Sequence, residues 1–499
     1  MSKKTAKESH ANVNVSSHSL KLFLCIALWF SFFRSVVLSA DAHAGPLFDH
    51  YELTLEPGER TEIAGPFFYS EQRESEKIWA IPPFLSYARD AGTSTLECDF
   101  AYPIVTYDRY GDQYRWQFFQ LLNYSGGPTQ PEKDRDRFTV FPFYFQQRSS
   151  LPDENYTALV PFYGRLKNRL FRDEVYFVMM PFYVQSRKRD IITDNYVYPI
   201  FHLRHGTGLH GWQFWPLLGQ EEKRVTVRTN SFEETEIIGG HEKSFILWPF
   251  FANQTAGIGT TNENWQQQLL PFYSLYRSPL RDQTTVGWPF FSWIDDREKK
   301  YHEWEGPWPF IVFARGEGKT ITRFWPLFSH AYSSTLESRV YLWPVYRSTR
   351  IRSAPLDRHR TRVLFFVYSD TLSQNTETGA SKRRVDLWPF FSHQRDFNGN
   401  TRLQLLALLE PYLPGAHKIE RDYSPVWSVW RAEKNGKTGA SSQSLFWNLY
   451  RRKTDGAKTQ CSAFFGLYQS ESNSEEKRMR LFYLPAITKK AGSSTTAKR

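Results

Sequence analysis

Four acidic side chains beside tryptophans are the residues in this sequence whose types and spacing best suit catalysis. Asp295 and Asp296 are followed by Glu303 and Glu305, and Trp304 lies between the last two. Paired carboxylates, one protonated and one ionised, carry out glycoside hydrolysis. Acidic residues of the same kind also occur at expected strand ends and turns throughout the chain. We therefore rank an enzyme behind non-enzymatic hypotheses and name no catalytic residue.

Three histidines and a glycine-rich segment are the candidates for a metal or cofactor site. His202, His205 and His210 could supply zinc or copper ligands. On a strand, His202 and His205 would point to opposite faces, and no cysteine or carboxylate stands directly beside them. Residues 206–211 have the spacing of a dinucleotide fingerprint, but a strand-like run follows where that fingerprint needs a helix. We predict no metal site and no cofactor.

The two ends of the chain have the composition of an export signal and a basic tail. Residues 22–33 form an apolar run after several lysines, and Ala-His-Ala at 42–44 fits a cleavage site. We predict a signal peptide over residues 1–44, a single β-repeat domain over 45–488 and a basic, disordered tail over 489–499. Whether the signal is cleaved or kept as an anchor stays open.

Charge and cysteine content limit the classes of partner. The net charge is +11, but positive and negative residues alternate along the chain, and nucleic-acid binding requires a dense basic face. We predict no nucleic-acid partner. Cys98 and Cys461 remain after the predicted signal, and an exported protein with two cysteines permits one disulfide. Such a bridge would join the first strands to the last; two unrelated thiols are the alternative.

One short phrase recurs along the chain: an aromatic, aliphatic or small residue, then proline, then two or three apolar residues. The marker prolines stand mostly 17 to 22 residues apart, so the period predicts a repeat architecture. The clearest copies, which we predict to mark the core of the repeat, contain Trp248, Pro249, Trp288, Pro289, Trp325, Pro326, Trp343, Pro344, Trp388 and Pro389.

The residues around each proline predict the fold class. The runs are rich in β-branched and aromatic residues, and Asn-Gly and Asp-Gly pairs between them indicate hairpin turns. We predict an all-β, antiparallel meander of about twenty strands, one strand and one turn per period. Because proline donates no ladder hydrogen bond, each strand would be kinked or begun at its proline. Mid-strand residues would then be apolar on both faces.

Two architectures fit this pattern. A closed outer-membrane barrel is favoured by the export signal, the many strands and the aromatic content. A soluble layered or propeller-like repeat body is the alternative, and it would bury both apolar faces.

The functional hypothesis follows the architecture. We expect an exported, non-enzymatic cell-envelope protein, in the outer membrane, that acts as a pore, scaffold or lipid-handling surface. The alternative is a secreted or periplasmic module that binds glycan or protein through exposed aromatic residues. Lipid, glycan and the membrane are the expected partners, and the oligomeric state is left open.

Overall fold

The computed structural model describes residues 42–44, 47–130, 133–229 and 235–490. The predicted signal up to residue 41 and the tail from residue 491 lie outside the described residues. The boundaries of the predicted domain therefore remain predictions.

Short strands make up most of the described chain. The first half contains β1 (Ala42–Ala44), β2 (Phe48–Glu52), β3 (Gly58–Ile63), β4 (Phe68–Arg73), β5 (Glu76–Ile81), β6 (Leu85–Asp90), β7 (Thr95–Phe100), β8 (Val105–Tyr110), β9 (Gln113–Phe118), β10 (Leu122–Gly126), β11 (Pro128–Gln130), β12 (Lys133–Val140), β13 (Tyr144–Ser149), β14 (Tyr156–Leu159), β15 (Tyr163–Arg169), β16 (Arg172–Val178), β17 (Tyr183–Lys188), β18 (Ile191–Tyr196), β19 (Phe201–Gly206), β20 (Leu209–Phe214), β21 (Leu218–Lys223), β22 (Thr226–Thr229), β23 (Thr235–Ile238) and β24 (Gly240–Ile246).

The second half continues in the same way. It contains β25 (Phe251–Ile258), β26 (Asn264–Leu269), β27 (Tyr273–Arg277), β28 (Arg281–Val286), β29 (Phe291–Asp296), β30 (Tyr301–Glu305), β31 (Ile311–Gly316), β32 (Thr320–Phe324), β33 (Phe328–Tyr332), β34 (Leu336–Tyr341), β35 (Tyr346–Ser353), β36 (Leu356–Val363), β37 (Tyr368–Asn375), β38 (Ser381–Leu387), β39 (Phe391–Arg395), β40 (Thr401–Leu405), β41 (Trp430–Lys434), β42 (Ser441–Leu445), β43 (Tyr450–Asp455), β44 (Lys458–Ala463), β45 (Tyr468–Ser472), β46 (Glu476–Leu481) and β47 (Ile487–Lys490). The helical segments are the 3-10 turns Gly65–Phe67 and Pro152–Glu154 and the α-helices α1 (His417–Asp422) and α2 (Ser424–Trp427).

These strands form one antiparallel meander in which a strand pairs with its neighbours in sequence. The described residues form a 45-stranded sheet and a separate β22–β23 hairpin. The predicted all-β antiparallel meander is thus confirmed, but the expected number of about twenty strands is wrong. No ladder in the described part of the chain joins the first strands to β47. The closed barrel stays a prediction.

The strand number is wrong because each period holds a hairpin, and its proline lies in a turn. In the turn between β12 and β13, the N–H of Phe143 donates to the carbonyl of Val140 at 2.7 Å, and Pro142 is the third residue. The turn between β16 and β17 has the same hydrogen-bond pattern around Pro181. Proline has no N–H to give a ladder, so a turn accommodates it where a central strand would not. The expectation of a strand kinked or begun at proline is therefore replaced.

The turns that contain the marker prolines lie along one border of the sheet, which we call the aromatic edge. Backbone hydrogen bonds join successive turns, for example from Val160 to the carbonyl of Phe143 and from Val197 to that of Phe182, both at 2.7 Å. The opposite border, the polar edge, contains turns with glycines such as Gly111 and Gly456 at positive φ. The strands therefore run between an apolar and a polar border.

The two faces of the sheet differ as sharply as its two edges. Residues paired across antiparallel strands share a face, so the registers trace each face across the sheet. One trace runs Tyr183, Tyr196, Phe201, Phe214 and Leu218, and we call this the aromatic face. The trace one residue away on each strand carries Val, Asn, His, Gln and Gly at 184, 195, 202, 213 and 219, and we call this the mixed face.

The expectation of two apolar faces is therefore wrong. It arose because the turn residues were counted as part of the strands. The strands themselves alternate, as half-buried strands do.

The buried apolar clusters lie on the mixed face. One consists of Ile294, Tyr301, Val312, Ala314 and Ile321, all from neighbouring strands β29–β32. Similar clusters occupy β4–β6 and β14–β16. The core is thus a series of local patches, and the aromatic face takes no part in it.

The two ends of the sheet meet through their mixed faces. Helices α1 and α2, between β40 and β41, reach strands near the start of the chain: the Tyr69 hydroxyl donates to the carbonyl of Arg421 at 3.0 Å. On the other side, the Asn435 side-chain amide donates to the carbonyls of Thr54 and Leu55 at 3.2 and 3.1 Å. We call this region, formed by β2–β8 against α1, α2 and β40–β43, the end contact.

Candidate functional site

The aromatic edge holds the residues that the sequence predicted as markers of the core. Trp248 and Trp288 are 48% and 47% exposed, and Phe290 after the proline is 48% exposed. These side chains lie in turns at the border of the sheet, and no second layer of the described residues covers them. They form an accessible apolar surface. The complete set of markers is Trp248, Pro249, Trp288, Pro289, Trp325, Pro326, Trp343, Pro344, Trp388 and Pro389, and each is half-buried or exposed.

Rings of successive turns touch one another along this edge. The ring centroids of Phe310 and Trp325 are 5.6 Å apart, those of Trp325 and Trp343 are 5.7 Å apart, and those of Trp343 and Phe365 are 5.6 Å apart. Such distances suit offset and edge-to-face aromatic contacts. The turn-to-turn hydrogen bonds hold the rings in register, so the exposed rings form a continuous strip.

A second apolar strip lies beside the first, on the aromatic face. From β31 to β46, the residue of each strand nearest the aromatic edge is paired with the equivalent residue of the next strand, and every one is apolar or aromatic. The row contains Ile311, Phe324, Phe328, Tyr341, Tyr346, Val363, Tyr368, Leu387, Phe391, Leu405, Trp430, Leu445, Tyr450, Ala463, Tyr468 and Leu481. Each is half-buried or exposed, and none is buried. A single residue in each strand thus extends the strip around a large part of the sheet.

Basic side chains follow at a fixed distance along the same face. In β27, β31 and β35 the residue four positions after the apolar row is arginine: Arg277, Arg315 and Arg350. A strand rises about 3.4 Å per residue, which puts these arginines about 13 Å along the strand from the row. The aromatic face therefore passes from rings at the aromatic edge to guanidinium groups towards the polar edge.

The candidate catalytic acids do not share a site. Asp295 and Asp296 are successive residues of β29 and lie on opposite faces. Asp295 pairs with His302 at 3.1 Å, whereas Glu303 is buried on the mixed face and pairs with Lys319 at 2.6 Å. Asp295 and Glu303 are thus ion-pair partners within the sheet, and Asp296 accepts a hydrogen bond from the backbone N–H of Lys299 at 2.8 Å.

The three histidines are separated in the same way. His202 lies on the mixed face and bonds the carbonyl of Pro199 at 3.0 Å, while His205 on the aromatic face lies 3.7 Å from Asp194. The described residues contain no group of three or more His, Cys, Asp or Glu side chains arranged to hold a metal ion.

The cysteines are free thiols, so the structure does not contain the disulfide that the sequence permits. Cys98 is in β7 and Cys461 in β44, and both are half-buried. Both residues belong to the aromatic face, since Cys98 pairs with Tyr107 and Cys461 with Arg452. The ends of the sheet meet through their mixed faces, so the two thiols point away from the contact that a bridge would have to cross.

Charged residues hold one half of the end contact. Arg421 in α1 donates to Glu97 at 2.8 Å and to Asp99, and Lys418 lies 3.2 Å from Asp99 and 2.7 Å from Asp108. The side chain of Asp99 is fully buried. Burial raises the pKa of Asp99 despite the two cations. Burial alone would lower the pKa of Arg421, but the neighbouring acids raise it above its usual value.

The other half of the end contact joins β2 and β3 to β43. The Asn448 amide donates to Asp49 at 2.6 Å and to Glu62 at 2.8 Å, and Lys453 lies 2.8 Å from Glu52. The Arg451 guanidinium stacks over the ring of Tyr51 at 3.1 Å. Between the two halves lies a cavity of about 360 Å³.

The sequence did not predict the end contact. The predicted all-β fold includes no helix between residues 417 and 427, where α1 and α2 lie. The only sequence signal for the contact is the excess of charge on the mixed face of β3, β4 and β7, which a sheet facing solvent would also show.

Comparison with known proteins identifies no family for this chain. No protein-family model matches the chain, and no curated protein matches it. Among the helices of the described residues, none has the length and apolar character needed to cross a membrane.

Proposed function

We propose that this chain is a non-enzymatic β-repeat protein of the cell envelope that contacts lipid through its aromatic edge. The observation that carries the proposal is the double apolar strip: exposed rings along the edge and the unbroken apolar row beside them. A soluble protein rarely exposes so large a continuous apolar surface, and such surfaces serve as interaction sites.

The order of residues along the aromatic face favours the interface of a bilayer. Trp and Tyr rings suit the headgroup level of a membrane, and basic side chains suit anionic lipid. The strip and the arginine row are about 13 Å apart along the strand. That separation fits a border whose rings reach the boundary between headgroups and acyl chains, with the guanidinium groups at the outer, charged surface of the headgroups.

Strand length supports a lipid-handling surface over a pore. A transmembrane strand needs about nine to eleven residues, and the strands here have at most eight. The export to the envelope in this proposal rests on the predicted signal.

Vesicle flotation tests the proposal. The full mature chain is mixed with vesicles of neutral lipid, or of neutral lipid with a fraction of anionic phosphatidylglycerol, and the floating fraction is measured. We expect binding to both, and tighter binding to the anionic vesicles. Binding to an oligosaccharide panel with no flotation would refute the lipid proposal in favour of a glycan-binding module.

A matched pair of triple variants makes the test specific. Trp325→Gln, Trp343→Gln and Phe365→Gln remove three touching rings of the aromatic edge, which are 38%, 45% and 54% exposed. The exposed area is about 100 Å² for each ring, worth about 2.5 kcal/mol if fully inserted, so a loss of at least tenfold in binding is expected.

The control variant removes three rings from the polar edge, two of which are more exposed than any ring of the first variant. Its substitutions are Tyr110→Gln, Phe171→Gln and Tyr332→Gln, at sites that are 67%, 98% and 51% exposed. We expect it to bind vesicles like the unmodified chain. Equal losses in both variants would mean that exposed rings bind lipid without regard to the edge, and the proposal would fail.

A further inference from the structure

The cavity at the end contact is a partly enclosed site with many polar side chains in its lining. It measures about 360 Å³ and lies between the mixed faces of β2–β4 and of β40–β43. Side chains from the first and the last part of the chain therefore face each other across it. At the border of the sheet it reaches Pro66 and Trp447, which belong to turns of the aromatic edge.

The acids that line this cavity are already engaged. Glu62 accepts hydrogen bonds from Tyr51 at 3.0 Å and Asn448 at 2.8 Å, and Glu71 accepts from Arg60 at 3.2 Å. The others have partners as well: Glu52 with Lys453, Glu56 and Glu76 with Arg73, Glu410 with Gln404 and Ser424, and Glu420 and Glu433 with Arg402.

Three arginines, by contrast, keep unused donors at the cavity. Arg60 is 9% exposed and its Nη2 makes no hydrogen bond, and Arg451 is 7% exposed with its Nη1 likewise unbonded. Arg431 uses Nε to bond Ser428 at 2.6 Å, and that is its single hydrogen bond within the described structure. Buried N–H groups without an acceptor cost about 1–3 kcal/mol each, so the arrangement requires an acceptor.

Arg60 is paired with Glu62 at 2.8 Å and Glu71 at 3.2 Å, and Arg451 lies 3.6 Å from Asp49, so Arg431 is the one of the three without an ion pair in the described structure. Burial, and next the charge of Arg60, hold the pKa of Arg431 below its usual value. Arg60 comes from β3, Arg431 from β41 and Arg451 from β43. A ligand that accepts hydrogen bonds from all three would join the two ends of the sheet.

We propose that this cavity binds a phosphoryl group, held by Arg60, Arg431 and Arg451. A phosphoryl group offers three or more acceptor oxygens in a tetrahedral arrangement, which suits donors that converge from separate strands. A carboxylate offers two oxygens in one plane, a shape that matches the fork of a single guanidinium better than three guanidinium groups on separate strands. The phosphoryl group could belong to free phosphate or to a lipid headgroup that enters beside Trp447.

The test measures the thermal stability of the full chain with two probes. Inorganic phosphate is one, and dihexanoyl phosphatidic acid below its micelle concentration is the other. Sodium chloride at equal ionic strength corrects for screening. We expect at least one probe to raise the melting temperature in a saturable manner, because a ligand that binds only the folded state stabilises it.

The informative variant is Arg431→Met, which removes a donor without breaking an ion pair. Without probe, we expect its melting temperature to equal or exceed that of the unmodified chain, because a like-charge repulsion is relieved. With probe, the dissociation constant should rise at least tenfold. The control is Arg452→Met, which replaces an exposed arginine of the same strand as Arg451 on the aromatic face.

The outcomes separate the sources and can overturn the proposal. A response to inorganic phosphate assigns the site to a free phosphoryl group, and a response to phosphatidic acid alone assigns it to a lipid headgroup. No saturable response to either probe, or an unchanged response in Arg431→Met, overturns the site. Failure of the phosphoryl site would not contradict the lipid proposal, because vesicle flotation depends on the aromatic edge and not on this cavity.

Discussion

Replacing Arg421 by methionine should loosen the end contact selectively. Arg421 is the residue of α1 that reaches both Glu97 and Asp99, and its side chain is 9% exposed. Methionine keeps much of the volume and the unbranched stem but removes the charge. Lys418 then remains as the cation beside Asp99, whose carboxylate is fully buried at 3.2 Å from it.

The magnitude follows from what stays behind. Removing one partner of a buried ion pair costs about 3–5 kcal/mol, because an uncompensated charge is left in the interior. Since Lys418 still compensates part of Asp99, we expect the lower end, about 3 kcal/mol. The comparison variant is Arg350→Met, which breaks a pair with Asp357 at 2.6 Å in which the arginine side chain is 45% exposed. Exposed pairs contribute about 0–1 kcal/mol.

Hydrogen exchange read by mass spectrometry is the appropriate assay. In a meander each strand contacts its neighbours, so stability is a sum of local terms, as in a repeat protein. We expect peptides from β5–β8 and α1 to exchange about 150-fold faster in Arg421→Met, the equivalent of about 3 kcal/mol. Peptides from β29–β33 should be unchanged and act as an internal reference. Equal effects of Arg421→Met and Arg350→Met on their own neighbourhoods would refute the reasoning that burial gives this ion pair its importance.

Three further outcomes follow from the structure. Burial alone would raise the pKa of Glu71, but Arg60 and Arg73 hold it below its usual value of 4.5. The contribution of Glu71 to folding stability is therefore complete above pH 4.5 and is lost as the pH falls through the lowered pKa. The urea midpoint of unfolding should decrease between pH 6 and pH 3, and should decrease less in Glu71→Gln. The raised pKa of Asp99 acts in the opposite direction and limits that fall. A Cβ on Gly164 would lie 2.3 Å from Cα of Ala158, so Gly164→Ala should destabilise β14–β16 by about 1–3 kcal/mol, and unchanged exchange there would contradict the packing. Alkylation of the native chain without reductant should modify both Cys98 and Cys461; a mass that shows neither modified until reduction would mean that they form a disulfide.

The sequence predicted the class of fold but not the unit that builds it. Strand-forming runs, hairpin turns and the regular proline period are local signals, and they predicted the antiparallel meander correctly. The error arose at the proline. Trp288, Pro289 and Phe290 have strand propensity on their flanks, and only the hydrogen bonds of the turn show that the chain reverses there. Because these turn residues were counted as part of a strand, the predicted number of strands was about half the observed number, and both faces of each strand were predicted to be apolar.

The end contact was beyond sequence reasoning for a different reason. Asp99 and Arg421 are more than three hundred residues apart, and nothing in the local pattern around either one specifies the other. Their meeting depends on the accumulated curvature of the strands between them, which small differences in twist decide. The sequence alone does not distinguish a carboxylate that will be buried from one that will be exposed, because burial depends on a partner that is distant in the chain.

The same register that separates the two faces also explains why the structure can combine a polar interior contact with an apolar border. Each period has one apolar turn, in most cases with proline, at one border and one polar turn at the other, so every strand begins at the apolar border or ends there. A residue next to the turn is then always at the same height in the sheet, and the pleat puts it on the same face in every strand. An apolar residue at that one position, as in Phe324, Phe328 and Tyr341, is enough to extend the strip by one strand. Inserting a single residue in any strand would shift its side chains to the other face and interrupt the strip locally. The proline period is therefore the feature that fixes the surface as well as the fold, and the charged mixed face is left free to hold the ends together.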